Sequence, residues 1–209
     1  MNPYQISRFS EVYILPIFAY PLFHIFFKVK IIGKENLNTL KSPFILVSNH
    51  ITFYDSFIFR LVLSSKHLPI RFMAVRKFDH WYLNFLLYIG LVDLVYLLFG
   101  VFIVFKGRGI EKNTEEAVRI INEGGNVVVY PEGEISKDGK LGKFKHGAAV
   151  LVKKTGANVL PISMRFGDCK FLRREFIIEI KNVLNFDKDK NRNEITEELY
   201  RCIREGTDM

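Results

Sequence analysis

The sequence predicts an α/β domain: a mixed, largely parallel sheet of about seven strands flanked by helices, with an N-terminal hydrophobic helical membrane anchor. Three observations carry that reading. Seven short β-rich runs recur between residues 28 and 180. Stretches with helical patterning separate several of them, the alternation that builds α/β sheets. An uncharged apolar run, residues 12–27, precedes the first strand. The chain accordingly divides into an anchoring segment, 1–27, and a domain, 28–209.

The anchor reads VYILPIFAYPLFHIFF and holds Pro16, Pro21 and His24. At 16 residues it is shorter than the ~20 that cross a bilayer as a helix, and internal prolines kink a helix. A bent helix that dips into one leaflet is expected, with a true span as the alternative. No small-residue cleavage site follows, so a removable signal peptide is not expected. Lys28, Lys30 and Lys34 come next. The positive-inside tendency then puts the domain at the cytoplasmic face of the membrane.

Strands are expected at 28–32 (KVKII), 43–48 (PFILVS), 70–75 (IRFMAV), 101–105 (VFIVF), 126–130 (NVVVY), 158–163 (NVLPIS) and 175–180 (EFIIEI). Pro161 inside the sixth run predicts an edge position or a break. Residues 114–123 read as a helix with Asn113 as N-cap, Glu116 three residues on and Gly124-Gly125 as the stop. A second helix, 147–155, is closed by Gly156. A third, 192–205, turns Ile195, Leu199, Cys202 and Ile203 inward. Residues 83–105 are apolar and long enough to span. A single span there would put the candidate site residues described below on opposite faces of the membrane. The expectation is instead one helix at about 80–98 lying on the membrane, a break at Gly100 and the strand 101–105.

Composition narrows the function. Of 209 residues 49% are hydrophobic, 20 are Phe, and 30 Lys+Arg against 22 Asp+Glu leave a net charge of +8. That apolar content excludes disorder. Cys169 and Cys202 are too few for a disulfide scaffold or a Cys-based zinc cluster, and a reducing compartment suits them. Basic nucleic-acid binders are seldom so apolar, so no nucleic-acid partner is expected. A basic, Phe-rich domain fits an anionic membrane surface; a well-packed α/β domain with a basic surface is the alternative.

Several motifs are absent. There is no G-x-S-x-G and no H-E-x-x-H; Gly139-Lys140 is followed by Leu141 rather than Ser or Thr; Gly107 and Gly109 lack the third glycine of a dinucleotide loop. Four elements remain. The first is Asn49-His50 with Asp55. His50 follows an apolar strand directly, at the strand end where α/β sheets place their sites. A spacing of five in one continuous helix would point the two side chains ~140° apart. They meet only if His50 lies in a turn and Asp55 in the first helical turn, and that pairing makes a base. Alone, the pair reads more readily as a His that caps a helix beside an Asp. The second element, Tyr130-Pro131-Glu132-Gly133, ends another apolar strand and leads into Lys137, Lys140, Lys143 and Lys145, cations suited to a phosphate. Alone, it is a turn with solvated lysines. The third is Gly100 to Lys106 and Arg108, a strand ending in cations; the fourth is Leu160-Pro161-Ile162.

In this order the four elements resemble the glycerolipid acyltransferase family, of the lysophosphatidic acid acyltransferase (1-acyl-sn-glycerol-3-phosphate acyltransferase) type. Asn49-His50…Asp55 matches its N-H-x-x-x-x-D, Tyr130–Gly133 its F-P-E-G, Phe144-Lys145…Gly147-Ala148 its F-K-x-G-A, and Leu160-Pro161-Ile162 its V-P-V block. The resemblance covers about residues 28–165. It implies that His50, held by Asp55, takes a proton from a lysolipid hydroxyl, which attacks the thioester of acyl-CoA or acyl-carrier protein. No covalent enzyme intermediate, metal or cofactor beyond that co-substrate is implied. Lys106, Arg108, Glu132, Gly133, Ser136 and Lys145 would bind the acceptor head group.

Two departures bear on the acceptor. Phe105 and Lys106 stand where the family's second block ends in Asp-Arg, with Arg108 nearby; lysine keeps the charge but lacks the bidentate fork. Glu134 and Ile135 replace the Thr and Arg of F-P-E-G-T-R-S, while Ser136 is kept. Lysophosphatidic acid is the expected acceptor, another lysophospholipid or an amino-acid lysolipid the alternative. A non-catalytic lipid-binding protein on the same fold, and a lipid hydrolase or transacylase, are the readings from other classes.

Overall fold

Phe44–Ser48 is apolar at four of its five positions and buried at all of them, the pattern of a strand covered on both faces. This strand, β2, lies at the centre of the sheet. The computed structural model describes residues 3–75, 81–105, 107, 109–136, 139–170 and 173–207. The seven strands are β1 (Phe27–Ile32), β2, β3 (Ile70–Val75), β4 (Val101–Val104), β5 (Asn126–Val129), β6 (Asn158–Lys170) and β7 (Arg173–Ile180). Their order is β1-β7-β6-β2-β5-β3-β4. Every neighbouring pair is parallel except β6 and β7. The expected mixed, largely parallel sheet is therefore present.

Alternate residues of one strand face opposite layers. Phe44 and Leu46 enter a core with Ile58, Phe59, Phe72 and Phe176. Ile45 and Val47 enter a second core with Ala117, Ile121, Leu151 and Leu199. The first core lies under α3 (Asp55–Val62) and the N-terminal segment; the second lies under α6 (Ile110–Asn122), α7 (Gly147–Thr155) and α8 (Arg192–Thr207).

The N-terminal segment is α1 (Pro3–Phe9), a π-helical turn at Ser10–Ile14 and α2 (Leu15–Phe26), with Pro21 inside. No single described helix is long and apolar enough to cross a membrane. Tyr4–Phe18 and Tyr20–Phe26, bent by 49°, meet the length and composition only together.

Three expectations need correction. The helix expected at 80–98 is two, α4 (Trp81–Tyr88) and α5 (Leu91–Leu98). Gly90 takes a left-handed φ of 78° between them, a conformation that costs glycine nothing and turns the chain. The helix expected at 114–123, α6, begins at Ile110, not after Asn113. Asn113 lies within it, its Oδ1 accepting from Phe105 N at 3.4 Å. Pro161 is not on an edge, since β6 sits between β2 and β7. Its carbonyl accepts from Lys181 N at 3.0 Å, one residue beyond β7. The missing N–H thus falls where the β6–β7 ladder stops, and the parallel pairing with β2 continues.

Candidate active site

The parallel pairing of β2 with β5 sets Val47 beside Val129. His50 follows the end of β2 and Glu132 the end of β5, so two residues 82 apart in sequence share one end of the sheet. His50 N donates to Glu132 Oε1 at 2.9 Å.

Asp55 is the first residue of α3 and His50 lies in the turn before it. That is the arrangement in which a five-residue spacing closes. Oδ2 of Asp55 accepts from His50 Nδ1 at 2.7 Å, Ile51 N at 2.9 Å and Thr52 N at 3.2 Å. The carboxylate thus tightens the turn and fixes the ring together. Burial pushes the Asp55 carboxyl above the ordinary carboxylate range, and the His50 hydrogen bond opposes that rise. An acceptor on Nδ1 assigns the neutral ring its proton there and leaves the Nε2 lone pair open.

The rest of His50 is held as well. Its carbonyl accepts from Ser136 N at 2.8 Å. Its ring stacks on Tyr130, with centroids 3.9 Å apart and planes 11° from parallel. Backbone N–H, backbone carbonyl, ring face and Nδ1 all have partners; Nε2 has none among the described residues. The His50 side chain is 20% exposed. The arrangement presents one basic nitrogen in a fixed direction.

Glu132, which the resemblance assigns to the acceptor head group, has both carboxylate oxygens bonded to backbone N–H groups. It is 5% exposed, and its second oxygen accepts from Gly142 N at 2.7 Å. Both oxygens are used in tying the His50 turn to the 139–145 loop. Gly133 and Lys145 do come together: a Cβ on Gly133, at φ 74°, would lie 2.8 Å from Lys145 Nζ. Lys145 N also donates to Pro131 O at 2.8 Å, and Ser136 Oγ donates to Lys140 O at 2.9 Å. Lys106 and Arg108, and the loop cation Lys137, lie outside the described residues. No cluster of three His, Cys, Asp or Glu that could hold a metal occurs among the described residues.

An apolar cleft of about 980 Å³ opens beside the His50 turn. Phe53, Tyr54, Ser56 and Phe57 line it from the turn and α3, Leu22, Phe23 and Phe26 from α2, and Val92, Val95 and Phe99 from α5 and the turn after it. The first apolar run therefore forms part of the cleft lining. Phe53 is 81% and Tyr54 50% exposed at its mouth. Pattern reading did not single out Tyr130 as a ring support, Gly142 as a donor, or Arg60, which is buried in α3 against Glu11 of the N-terminal segment. The signal for the last pair was a lone base and a lone acid, each set in apolar surroundings.

Comparison with known proteins bears on the family and the fold. The Acyltransferase family matches residues 28–165. The chloroplastic 1-acyl-sn-glycerol-3-phosphate acyltransferase LPAT1 of Arabidopsis thaliana is 30% identical over 164 residues, 78% of this chain and 42% of that protein. The 1-acyl-sn-glycerol-3-phosphate acyltransferase CHLREDRAFT_174358 of Chlamydomonas reinhardtii is 33% identical over 141 residues, 66% of this chain and 39% of that one. The chain thus spans about two-fifths of the length of these curated relatives. The crystal structure of the 1-acyl-sn-glycerophosphate (LPA) acyltransferase PlsC from Thermotoga maritima superposes with a TM-score of 0.68 at 20% identity, covering 99% of this chain and 78% of that one; at that identity the likeness concerns the fold. With two-thirds of its residues inside the family match, and its four blocks in order on that fold, the chain belongs to the acyltransferase family.

Proposed function

We propose that this chain is an O-acyltransferase that moves a fatty acyl group from a thioester, acyl-CoA or acyl-carrier protein, to the free hydroxyl of a lysolipid. The acceptor we favour is 1-acyl-sn-glycerol-3-phosphate, giving phosphatidic acid in phospholipid biosynthesis. The observation that carries the reading is the open Nε2 of a His50 whose other polar atoms are all engaged, at a turn that also lines an apolar cleft. The relatives named above, each an acyltransferase acting on 1-acyl-sn-glycerol-3-phosphate by name, support the acceptor.

Nε2 takes the hydroxyl proton as the acceptor oxygen attacks the thioester carbonyl. Asp55 orients the ring and stabilises the imidazolium. Collapse of the tetrahedral intermediate breaks the C–S bond, and the imidazolium returns its proton to the departing thiolate. The cleft holds the acyl chain; Gly133, Ser136 and Lys145, with Lys106 and Arg108, position the head group, and Glu132 shapes the turn.

The site works at the cytoplasmic face of the membrane, with 1–27 as a bent, one-leaflet anchor to the domain 28–209. Exposed Ile17, Phe18, Leu22, Ile25 and Phe26 on α2, and Leu91, Leu94 and Val95 on α5, supply the apolar surface. A second acceptor class is favoured by one observation: Glu134 is an exposed carboxylate beside Gly133, which disfavours a phosphomonoester and suits a lysolipid with a less anionic head group.

The test is purified full-length chain assayed with acyl-CoA and with acyl-carrier protein against lysophosphatidic acid, other lysophospholipids and amino-acid lysolipids. His50→Ala should fold and abolish transfer. Full transfer in that variant would overturn the reading. Lipid binding without any turnover would favour a binding protein, and release of free fatty acid a hydrolase.

A further inference from the structure

Behind one wall of the apolar cleft lies a fully buried ion pair. Arg60, in α3, is 1% exposed and Glu11, in the π-helical turn, 0%. Arg60 Nη2 donates to Glu11 Oε1 at 3.1 Å and to the Phe99 carbonyl at 2.6 Å; Nη1 donates to the Ser56 carbonyl. The guanidinium also lies over the Phe72 and Phe99 rings, 4.4 and 5.0 Å from their centroids. Oε2 of Glu11 accepts from Ile70 N at 3.2 Å. One side chain thereby joins the N-terminal segment, α3 and the turn after α5. The two residues whose carbonyls it holds, Ser56 and Phe99, both line the cleft.

A buried pair of this kind is a poor device for stability alone, because desolvating both charges offsets most of their attraction. Its advantage is geometric. Apolar walls slide over one another at little cost, whereas a guanidinium held by three acceptors in fixed directions does not. Apart from Ser56 and Arg174, the side chains lining the cleft are rings and aliphatic chains, which set no separation by themselves.

We infer that Arg60 is a positioning residue for the acyl chain: by holding Glu11, Ser56 and Phe99 together it fixes the separation of the cleft walls and so limits the chain length that fits. The acyl-transfer reading supplies only the identity of the chain. The geometry also makes the N-terminal segment a wall of the binding site as well as an attachment to the membrane.

The experiment measures chain-length selectivity by binding, so it needs no turnover. Full-length chain held in an amphipathic polymer is loaded with an environment-sensitive naphthalene dye, displaced by saturated fatty acids of increasing length. Wild type should gain about fourfold in affinity per added methylene, the increment for burying one CH₂, up to a limiting length where the gain stops. In Glu11→Gln/Arg60→Met, which removes both charges and keeps much of the volume, the limit should move by at least two carbons. In Arg60→Lys, which keeps the charge and loses the fork, it should move in the same direction. Thermal unfolding of each variant establishes that it folds. An unchanged limit in a folded double variant overturns the inference; if the double variant does not fold, an unchanged limit in Arg60→Lys does so. Wild type that binds none of the acids overturns it too. Wild type that binds them with a limit, while transferring no acyl group from any thioester, overturns the acyl-transfer reading and leaves this one standing.

Discussion

The backbone N–H of His50 donates to Glu132 Oε1, and the other oxygen of that carboxylate takes the N–H of Gly142. This assigns Glu132 a positioning task that kinetics distinguish from head-group binding. Glutamine offers one acceptor and one donor, so in Glu132→Gln one of the two buried N–H groups is left facing an N–H. Leaving a buried donor unsatisfied costs about 1–3 kcal/mol. The expected result is a kcat about 10–100-fold lower with KM for the acceptor within about twofold. A rise in acceptor KM with kcat unchanged would return Glu132 to the head-group site.

Asp55→Asn should separate activity from stability. Burial raises the Asp55 carboxyl pKa above its unfolded value, so the folded chain binds this proton more tightly than the unfolded chain. The sign follows: as pH rises from the ordinary carboxylate value through the raised one, this group withdraws stability, and above both the loss is complete. Asparagine carries no such charge and can still accept from Ile51 N and Thr52 N. At pH 7 the variant should therefore melt at or above the wild-type temperature, and its Tm should lack the decline contributed by Asp55 as pH rises through the raised pKa. Its kcat should fall by about 10³-fold or more through loss of the charge that fixes the His50 tautomer and stabilises the imidazolium. A lower Tm at neutral pH would show that the His50 and backbone hydrogen bonds outweigh the burial of the charge.

Tyr130 stacks on His50, but its hydroxyl is buried and has no hydrogen-bond partner among the described residues, and burial holds its pKa well above 10. Removing an unsatisfied buried hydroxyl relieves about 1–3 kcal/mol of desolvation. Tyr130→Phe keeps the ring and should raise Tm with kcat within about twofold. Tyr130→Ala removes the support of the His50 ring and should lower kcat at least tenfold. Calorimetry and steady-state assays on the pair check both.

Much of this was legible in the sequence where one physical rule dominates. The strands of the central sheet are continuous apolar runs, because both faces are covered, and their cores show directly in FILVS and NVVV. The His50–Asp55 contact was legible because only a turn followed by a helix lets residues five apart meet. Other features depend on context. Residues 164–170 of β6 read MRFGDCK, too mixed in polarity and too rich in turn formers to announce a strand; pairing with β7 imposes it. The break at Gly90 was hidden because apolar composition alone does not distinguish one helix from two. The backbone partners of Glu132 were not legible because a carboxylate after a strand suits a substrate equally well, and only the folded chain shows which N–H groups it meets. Arg60 and Glu11 are 49 residues apart, and nothing local pairs them.

The exposed ring of Phe53 gives the last prediction. Phe53 lies between His50 and Asp55, in the turn that the dyad itself tightens, and is 81% exposed. It borders the cleft together with Leu22 and Phe26 of α2, so the ring continues the apolar surface of the N-terminal segment up to the His50 turn. Transferring such a side chain from water into an acyl layer is worth about 1.5–3 kcal/mol. Phe53→Ser removes that contribution without touching Nδ1 of His50, Oδ2 of Asp55 or the Glu132 clamp. Partition of the full chain onto anionic vesicles, measured by co-sedimentation, should weaken by about tenfold or more. Activity against lysolipid presented in those vesicles should fall with it, while activity against a short-chain, monomerically soluble acceptor stays within about twofold. Equal losses with both substrates would mean that Phe53 supports the dyad rather than the membrane contact. Undiminished vesicle binding would place the membrane face elsewhere on the molecule.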